Sequence, residues 1–220
     1  MNGLKPFGDR VEGGRLLAGK LRRYAHRNDV IVLGLPRGGV EVAYEVAGVL
    51  DAPLDVFVVR KIGMPGYEET AIGAIASGGV VIMNEKTTTQ LAPIKTRVQA
   101  VIQKEKKELA RRELLYRDER AMPVVKNKTV ILVDDGLATG ATMYAAVQAL
   151  RRLSPARIVV AVPVASPDSC EFFKKAADEC VCAITPEVFY AVGSWYENFA
   201  PTSDETVKKL LLLSERRMAA

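Results

Sequence analysis

Val130-Ile-Leu-Val-Asp-Asp-Gly-Leu-Ala-Thr-Gly-Ala-Thr142 joins a buried strand, two carboxylates and a Gly/Thr turn that opens a helix. Four consecutive apolar residues, mostly β-branched, read as a central strand of a parallel sheet. A helical pattern resumes at Tyr144-Ala-Ala-Val-Gln-Ala-Leu-Arg-Arg-Leu153. The turn between them therefore lies at the carboxyl end of a strand, the edge at which open α/β sheets bind ligands. Backbone N–H groups at the start of the helix have no intrahelical partners, and the helix dipole adds partial positive charge. Ala138, Thr139, Gly140, Ala141 and Thr142 thus form an anion cradle, to which Thr139 and Thr142 add hydroxyl donors.

Two carboxylates beside such a cradle repel a bare phosphate, so Asp134 and Asp135 must face another part of the ligand: hydroxyls, a metal, or both. A phosphorylated ribose satisfies this, with its 5′-phosphate in the turn and its diol on the acids. A P-loop is excluded because the segment lacks the lysine of G-x-x-x-x-G-K-[ST]. A receiver domain also uses an acidic pair but has no need of Thr-Gly-x-Thr. A purely structural turn, with the aspartates capping donors, leaves adjacent carboxylates without a partner, which is costly.

The same residues resemble the phosphoribosyl-pyrophosphate (PRPP) signature of type I phosphoribosyltransferases: an apolar run, two acids, a small-residue turn and Thr-Gly-x-Thr. The resemblance implies ribose contacts for Asp134 and Asp135, 5′-phosphate contacts for Ala138 to Thr142, and Mg²⁺ carried mainly with the substrate near the two acids. It covers the core from about Val30 to Val164. With Arg60-Lys61-Ile-Gly and Gly193-Ser-Trp-Tyr-Glu-Asn-Phe, the pattern is similar to a bacterial group of phosphoribosyltransferases of unassigned substrate. It departs from the purine, uracil and orotate branches in its insert and hood.

Length and composition agree with this class. At 220 residues the chain suits one α/β domain, and 49% hydrophobic with 26% charged residues is ordinary globular composition. The expectation is a single phosphoribosyltransferase-like domain over 1–220, with a helical insert at about 85–122 and a C-terminal hood at about 186–220. No apolar run approaches a membrane span and the first residues lack a signal-peptide core, so a cytoplasmic location is expected. The net charge of +5 suits anionic substrates. Cys170, Cys180 and Cys182 contain no C-x-x-C and leave an odd thiol, so they are expected to be core thiols rather than a disulfide framework or a zinc site. His26 is the only histidine and is expected to be a cation at a helix C-terminus, which removes His-based triads and multi-His metal sites.

Along the chain, Gly13 to Arg27 reads as a helix, Val30 to Gly34 as a strand, Val40 to Leu50 as a helix and Asp55 to Val59 as a second strand. A Gly/Pro-containing loop is expected from Arg60 to Gly73, then a hairpin of Ala74-Ile-Ala76 and Val80-Val-Ile-Met83. After the signature strand come Arg157 to Val162 and Glu179 to Ile184. This alternation argues a parallel sheet with helices on both faces. The insert carries apolar positions Ile94, Val98, Val101, Ile102, Leu109 and Leu114 at a helical period. Mixed charges on its other face suggest a solvated, ion-paired helix. Thr202-Ser-Asp-Glu205 followed by Val207 to Met218 predicts a capped terminal helix.

Gly34-Leu-Pro-Arg-Gly-Gly39 follows the first strand on the same sheet edge as the signature and offers backbone donors with a cation, Arg37. The resemblance implies a pyrophosphate loop here that often contains a non-proline cis peptide, which singles out Pro36–Arg37. Arg60 and Lys61, expected at the end of the second strand, add cations for pyrophosphate. The assigned set is Asp134, Asp135, Arg37 and Lys61 as catalytic residues, with Arg37, Gly38, Gly39, Arg60 and Lys61 on pyrophosphate. Ile62 to Thr70 occupies the place of the family's closing catalytic loop, with Tyr67, Glu68 and Glu69 as candidates. Tyr190, Trp195 and Tyr196, from the aromatic run Phe189 to Phe199, are candidates to stack a base.

The expected activity is transfer of the 5-phosphoribosyl group from PRPP to a nitrogen nucleophile, a nucleobase in the first instance, with release of pyrophosphate. The partners are then PRPP and a small acceptor; a homodimer is compatible, and no membrane or nucleic-acid partner is expected. Two other readings stay open: a PRPP-binding regulator acting on nucleic acid through the basic helix, and a hydrolase of a ribose phosphate.

Overall fold

The computed structural model describes residues 5–84, 94–118 and 120–219. Strands β1 (Val30–Gly34) and β2 (Leu54–Val56) belong to the main sheet, and β3 (Val59–Met64), β4 (Tyr67–Ala76) and β5 (Val80–Met83) form a separate antiparallel sheet. The main sheet is completed by β6 (Thr129–Val133), β7 (Arg157–Val164) and β8 (Glu179–Ile184). Its order is β2-β1-β6-β7-β8 and every pairing in it is parallel. The helices are α1 (Arg10–Lys20), α2 (Gly38–Leu50), α3 (Lys95–Arg117), α4 (Ala141–Arg152), α5 (Pro167–Ala176) and α6 (Asp204–Ala219).

Every residue of β1 and β6 is buried, as continuous apolar strands between two helical layers must be. Leu17, Leu21, Val42 and Val46 of α1 and α2 pack on one face, against Val32, Ile131, Val133 and Val159. Met143, Val147, Leu150 and Phe173 of α4 and α5 cover the other, against Leu33, Leu132 and Val160. Each such side chain contributes roughly 1.5–3 kcal/mol by leaving water. The β1/β6 register pairs Gly34 with Val133, and Leu35 N–H donates to the Val133 carbonyl at 2.8 Å. The loop after β1 and the acids after β6 are thereby set side by side.

Three sequence expectations need correction. Helix α1 starts at Arg10, not Gly13: Asp9 accepts the Glu12 N–H at 2.9 Å while the Glu12 carboxylate accepts the Gly8 N–H at 2.5 Å, a reciprocal cap. The helix also stops at Lys20, and a 3-10 turn, Arg22–Tyr24, follows. His26 lies beyond that turn with φ 58°, its ring 3.5 Å from the Asp51 carboxylate.

The segment Asp55 to Val59 is not one strand. Phe57 N–H still donates to Gly34 O, but Val58 N–H turns to the Ser77 hydroxyl, and β3 begins at Val59 in the other sheet. Arg60 and Lys61 therefore lie inside β3, in the antiparallel sheet rather than at the end of a main-sheet strand. Arg60 to Gly73 is a β-hairpin rather than a loop, turning at Pro65-Gly66 and irregular in register around Gly63.

The third correction concerns the insert. Helix α3 buries Val98 and Ile102 on Ile62 and Ile72, and Leu109 with Tyr116 on Val58, Ile75 and α6, but Leu114 is exposed. Residues 85–93 and Glu119, also assigned to the insert, lie outside the described residues. The buried Arg117 fastens the end of α3 to Asp55 at 2.9 Å, to Glu113 at 2.8 Å and to the Val56 carbonyl at 2.6 Å. Helix α6 opens at a Ser203 hydroxyl that accepts the Thr206 N–H. Among the described residues no helix is long and apolar enough to cross a membrane.

Candidate active site

The carboxyl ends of β1 and β6 meet at two glycines and two aspartates. A Cβ on Gly39 would stand 2.8 Å from the Asp134 Cα, and one on Gly38 would strike the Asp135 carboxylate. Neither glycine has positive φ; they are required for close approach, so the loop seats directly on the acids. The Pro36–Arg37 peptide between β1 and α2 is cis.

Asp134 Oδ1 accepts the Asp135 N–H at 2.9 Å. Lost hydration and the neighbouring Asp135 charge push the Asp134 carboxyl well above the usual carboxylate range. Burial raises Asp135 as well, with Arg10 opposing the shift. Arg10 Nε donates to Asp135 Oδ2 at 2.9 Å and its NH1 donates to the Ala200 carbonyl at 2.8 Å. Its guanidinium lies 4.0 Å from the Phe199 ring centroid and 4.0 Å from Glu41, and Glu41 in turn accepts the Thr202 hydroxyl. The second acid is thus held by the first turn of α1 and by the segment before α6.

Tyr196 completes that support. Its hydroxyl donates to the Asp135 carbonyl at 2.5 Å, and its ring lies between Phe7 and Phe199 at centroid distances of 5.5 and 5.2 Å. At 5% exposure both faces are covered. This corrects the expectation of base stacking for Tyr196: the aromatic run at this point is packing. Tyr190 is 88% exposed, and Trp195, in the 3-10 turn Val192–Trp195, is half-buried against the Phe7/Tyr196 cluster.

The turn after the acids is open. Ala138, Thr139, Ala141 and Thr142 are exposed, and α4 begins behind Gly140, whose φ of 67° is a left-handed conformation that favours glycine. The first N–H groups of α4 point into this turn by helix geometry. The turn is held from behind: Ser166 and Ser169, at the start of α5, both donate hydroxyl bonds to the Ala138 carbonyl, and Leu137 N–H donates to Val164 O at 2.9 Å.

The cations are distributed unequally. Arg37 is half-exposed and 4.0 Å from Asp204. Arg60 donates to Glu105 of α3 at 2.8 Å and is committed to that pair. Exposed Lys61 lines a depression of about 550 Å³ between the antiparallel sheet and α4, opposite Thr142, Tyr144 and Arg152. Tyr67, Glu68 and Glu69 are exposed at the tip of the β3–β4 hairpin.

Arg10, Glu41, Ser166 and Ser169 were missed in the sequence. Ser166-Pro-Asp-Ser169 carries a helix-start signal that would have located α5 beside the turn. Asp9-Arg-Val-Glu12 would have placed Arg10 at the first helical position, though nothing in its spacing points to a partner 125 residues away.

A family model described as the phosphoribosyl transferase domain matches residues 8–198. The chain is 43% identical over 216 residues to a protein named only as a candidate phosphoribosyl transferase, in two strains of Mycobacterium tuberculosis. That alignment takes in 98% of this chain and 48% of the relative, so the chain spans about half the length of the curated relatives it matches. The crystal structure of TT1426 from Thermus thermophilus superposes with a TM-score of 0.82 at 42% identity, covering 94% of this chain and 98% of that one.

Proposed function

This chain belongs to the phosphoribosyl transferase family, and we propose that it transfers the 5-phosphoribosyl group of PRPP to a ring nitrogen of a nucleobase, releasing pyrophosphate. The observation that carries the reading is the pair Asp134 and Asp135, largely but not fully withdrawn from solvent beside the exposed Ala138–Thr142 turn. Burial with partial support makes two adjacent carboxylates costly in the free protein, and a ribose diol with an accompanying cation relieves that cost.

In this reading the 5′-phosphate accepts bonds from the N–H groups and hydroxyls of the turn, and the two acids receive the ribose hydroxyls. Asp134 Oδ2 and Asp135 Oδ1 are not taken by the hydrogen bonds described above. They are the hard oxygen donors that would hold Mg²⁺. Bound there, Mg²⁺ supplies charge neutralisation for the polyphosphate. The anomeric C–O bond breaks as the nitrogen–carbon bond forms, and positive charge develops on the ribose ring, as in glycosyl transfer generally. The two carboxylates face that charge. Pyrophosphate leaves toward the loop at Arg37, Gly38 and Gly39 and toward Lys61; Arg60, paired with Glu105, contributes only if that pair opens. The chain acts as one catalytic unit, with α3 as its insert, and the β3–β4 hairpin closes over the reacting atoms. The acceptor enters on the side of Tyr190 and Trp195.

The ion pairs of α3 weigh against the regulator reading. Glu108 engages Arg111 and Arg112, which hold its carboxyl down at about 2, and Arg117 is buried on Asp55, so the arginines of the helix are engaged within the chain, while Lys104, Lys106 and Lys107 stay exposed; salt-dependent oligonucleotide binding would favour the regulator. The test is a panel of purine and pyrimidine bases incubated with PRPP, Mg²⁺ and the protein, monitored for pyrophosphate. Base-dependent release is expected; release of equal rate with no base present would assign the chain to hydrolysis instead.

A further inference from the structure

The three cysteines, Cys170, Cys180 and Cys182, converge on one point. Cys180 and Cys182 are two apart on β8 and therefore share a face of that edge strand; their sulfurs lie 3.7 Å apart. Cys170, on α5, places its sulfur 2.9 Å from that of Cys182, and all three sulfurs fall within 4.8 Å of one another. The three thiols pack on the main core as the sequence suggests; their convergence was not legible because Cys170 reaches the strand only through the packing of α5 on β8.

The surroundings are those of a thiolate site. Beside the sulfurs a surface depression is lined by Lys20, Arg23, Lys174, Glu179 and Thr185, with Lys174 also paired to Glu171 at 3.2 Å. Three sulfurs held together with cations nearby suit a soft metal better than catalysis.

We propose that Cys170, Cys180 and Cys182 bind one thiophilic divalent cation of the zinc class, with the fourth position open to water in the depression. On binding, three S–H groups release their protons to solvent and three metal–sulfur bonds form, leaving a net charge of −1 that Lys20 and Lys174 face. Tetrahedral zinc–thiolate bonds of about 2.3 Å separate the sulfurs by roughly 3.8 Å. The Cys180–Cys182 pair already meets that spacing at 3.7 Å; the Cys170–Cys182 separation of 2.9 Å must widen by about 0.9 Å to reach it, and all three sulfurs start within 4.8 Å of one another. The metal pins α5 to β8. Because Ser166 and Ser169 at the head of α5 hold the Ala138 carbonyl, it also braces the phosphate turn. The proposal does not rest on the phosphoribosyl reading, since none of its ligands belongs to that site.

The test uses the fully reduced chain, stripped with a chelator, its three free thiols verified by thiol titration, and titrated with Co²⁺. A thiolate-to-cobalt charge-transfer band saturating at one equivalent is expected, displaced by Zn²⁺. Cys180→Ser and Cys182→Ser should each weaken binding about 100-fold, since a thiolate site draws its affinity from few ligands. Affinity should fall steeply as pH is lowered, because three protons compete. Should a variant not fold, protection of the wild-type thiols from alkylation by Zn²⁺ reads the same site. Absence of the band in reduced protein, a band that survives both substitutions, or alkylation unaffected by Zn²⁺ would overturn the proposal.

Discussion

The ground around the two acids and the hairpin across from the signature turn are built differently. The acids and the turn after them are gripped from four directions: α2 glycines below, Arg10 of α1, Tyr196 beside the carbonyl of Asp135, and the α5 serines behind Ala138. The wall across from the turn is an antiparallel hairpin with an exposed tip, and Tyr190 also stands free of the core. A group common to one class of substrates can be met by a rigid, pre-paid arrangement, whereas a variable group and a closing motion need elements of low local stability. Under the proposed function the gripped side carries the chemistry and the open one the selectivity.

The strongest way to break that contrast is at the acids. Asp134→Asn should lower turnover by about 10²–10³, the usual cost of removing one preorganised electrostatic contact, while raising Tm at neutral pH. The sign follows from linkage: the folded chain keeps a proton on Asp134 to higher pH than the unfolded chain does. Stability therefore falls as pH rises from the ordinary carboxyl range through the folded value, and stays lower above it. The gain in Tm should vanish below about pH 4, where both states are protonated. Thermal melts across pH with turnover at each point check both halves; a Tm that drops with activity would mean that Asp134 is structural.

Next in size is the floor. Gly39→Ala places a methyl 2.8 Å from the Asp134 Cα, a backbone atom that cannot swing aside, and overpacking of this kind costs about 1–3 kcal/mol. Denaturant unfolding measures it, and an unchanged midpoint would show that the loop does not bear on the acids. Arg10→Met keeps the packing over Phe199 but leaves Asp135 without its cation. The expected outcome is a loss of about 1–3 kcal/mol in PRPP affinity or stability, with the acidic limb of the activity profile moved to higher pH as the Asp135 carboxyl rises further. The smallest effect belongs to the open side: Tyr190→Ala should raise KM for the base about tenfold and leave KM for PRPP unchanged. A change in the PRPP constant instead would erase the division between the two sides.

The same contrast describes what could be read from the chain. Strands β1, β6, β7 and β8 and the signature turn follow from local pattern, because a strand buried on both faces and a Gly/Thr turn at its end write themselves into contiguous residues. The switch at Phe57-Val58 left no mark: Val56 to Val59 is apolar throughout, and burial between two sheets resembles burial within one. For that reason Arg60 and Lys61 read as the end of the second strand rather than as part of β3. Arg10 was invisible for another reason, since its role depends on a pairing across 125 positions. Tyr196 shared its composition signal with true stacking residues and was distinguished only by what covers its ring.

The account stands most directly on whether the gripped side binds PRPP. Isothermal calorimetry of the chain with PRPP in the presence of Mg²⁺ should give saturable binding to a single site, and the double variant Asp134→Asn, Asp135→Asn, shown to be folded, should give none. No heat from the wild-type chain, or binding undiminished in the folded double variant, would contradict it.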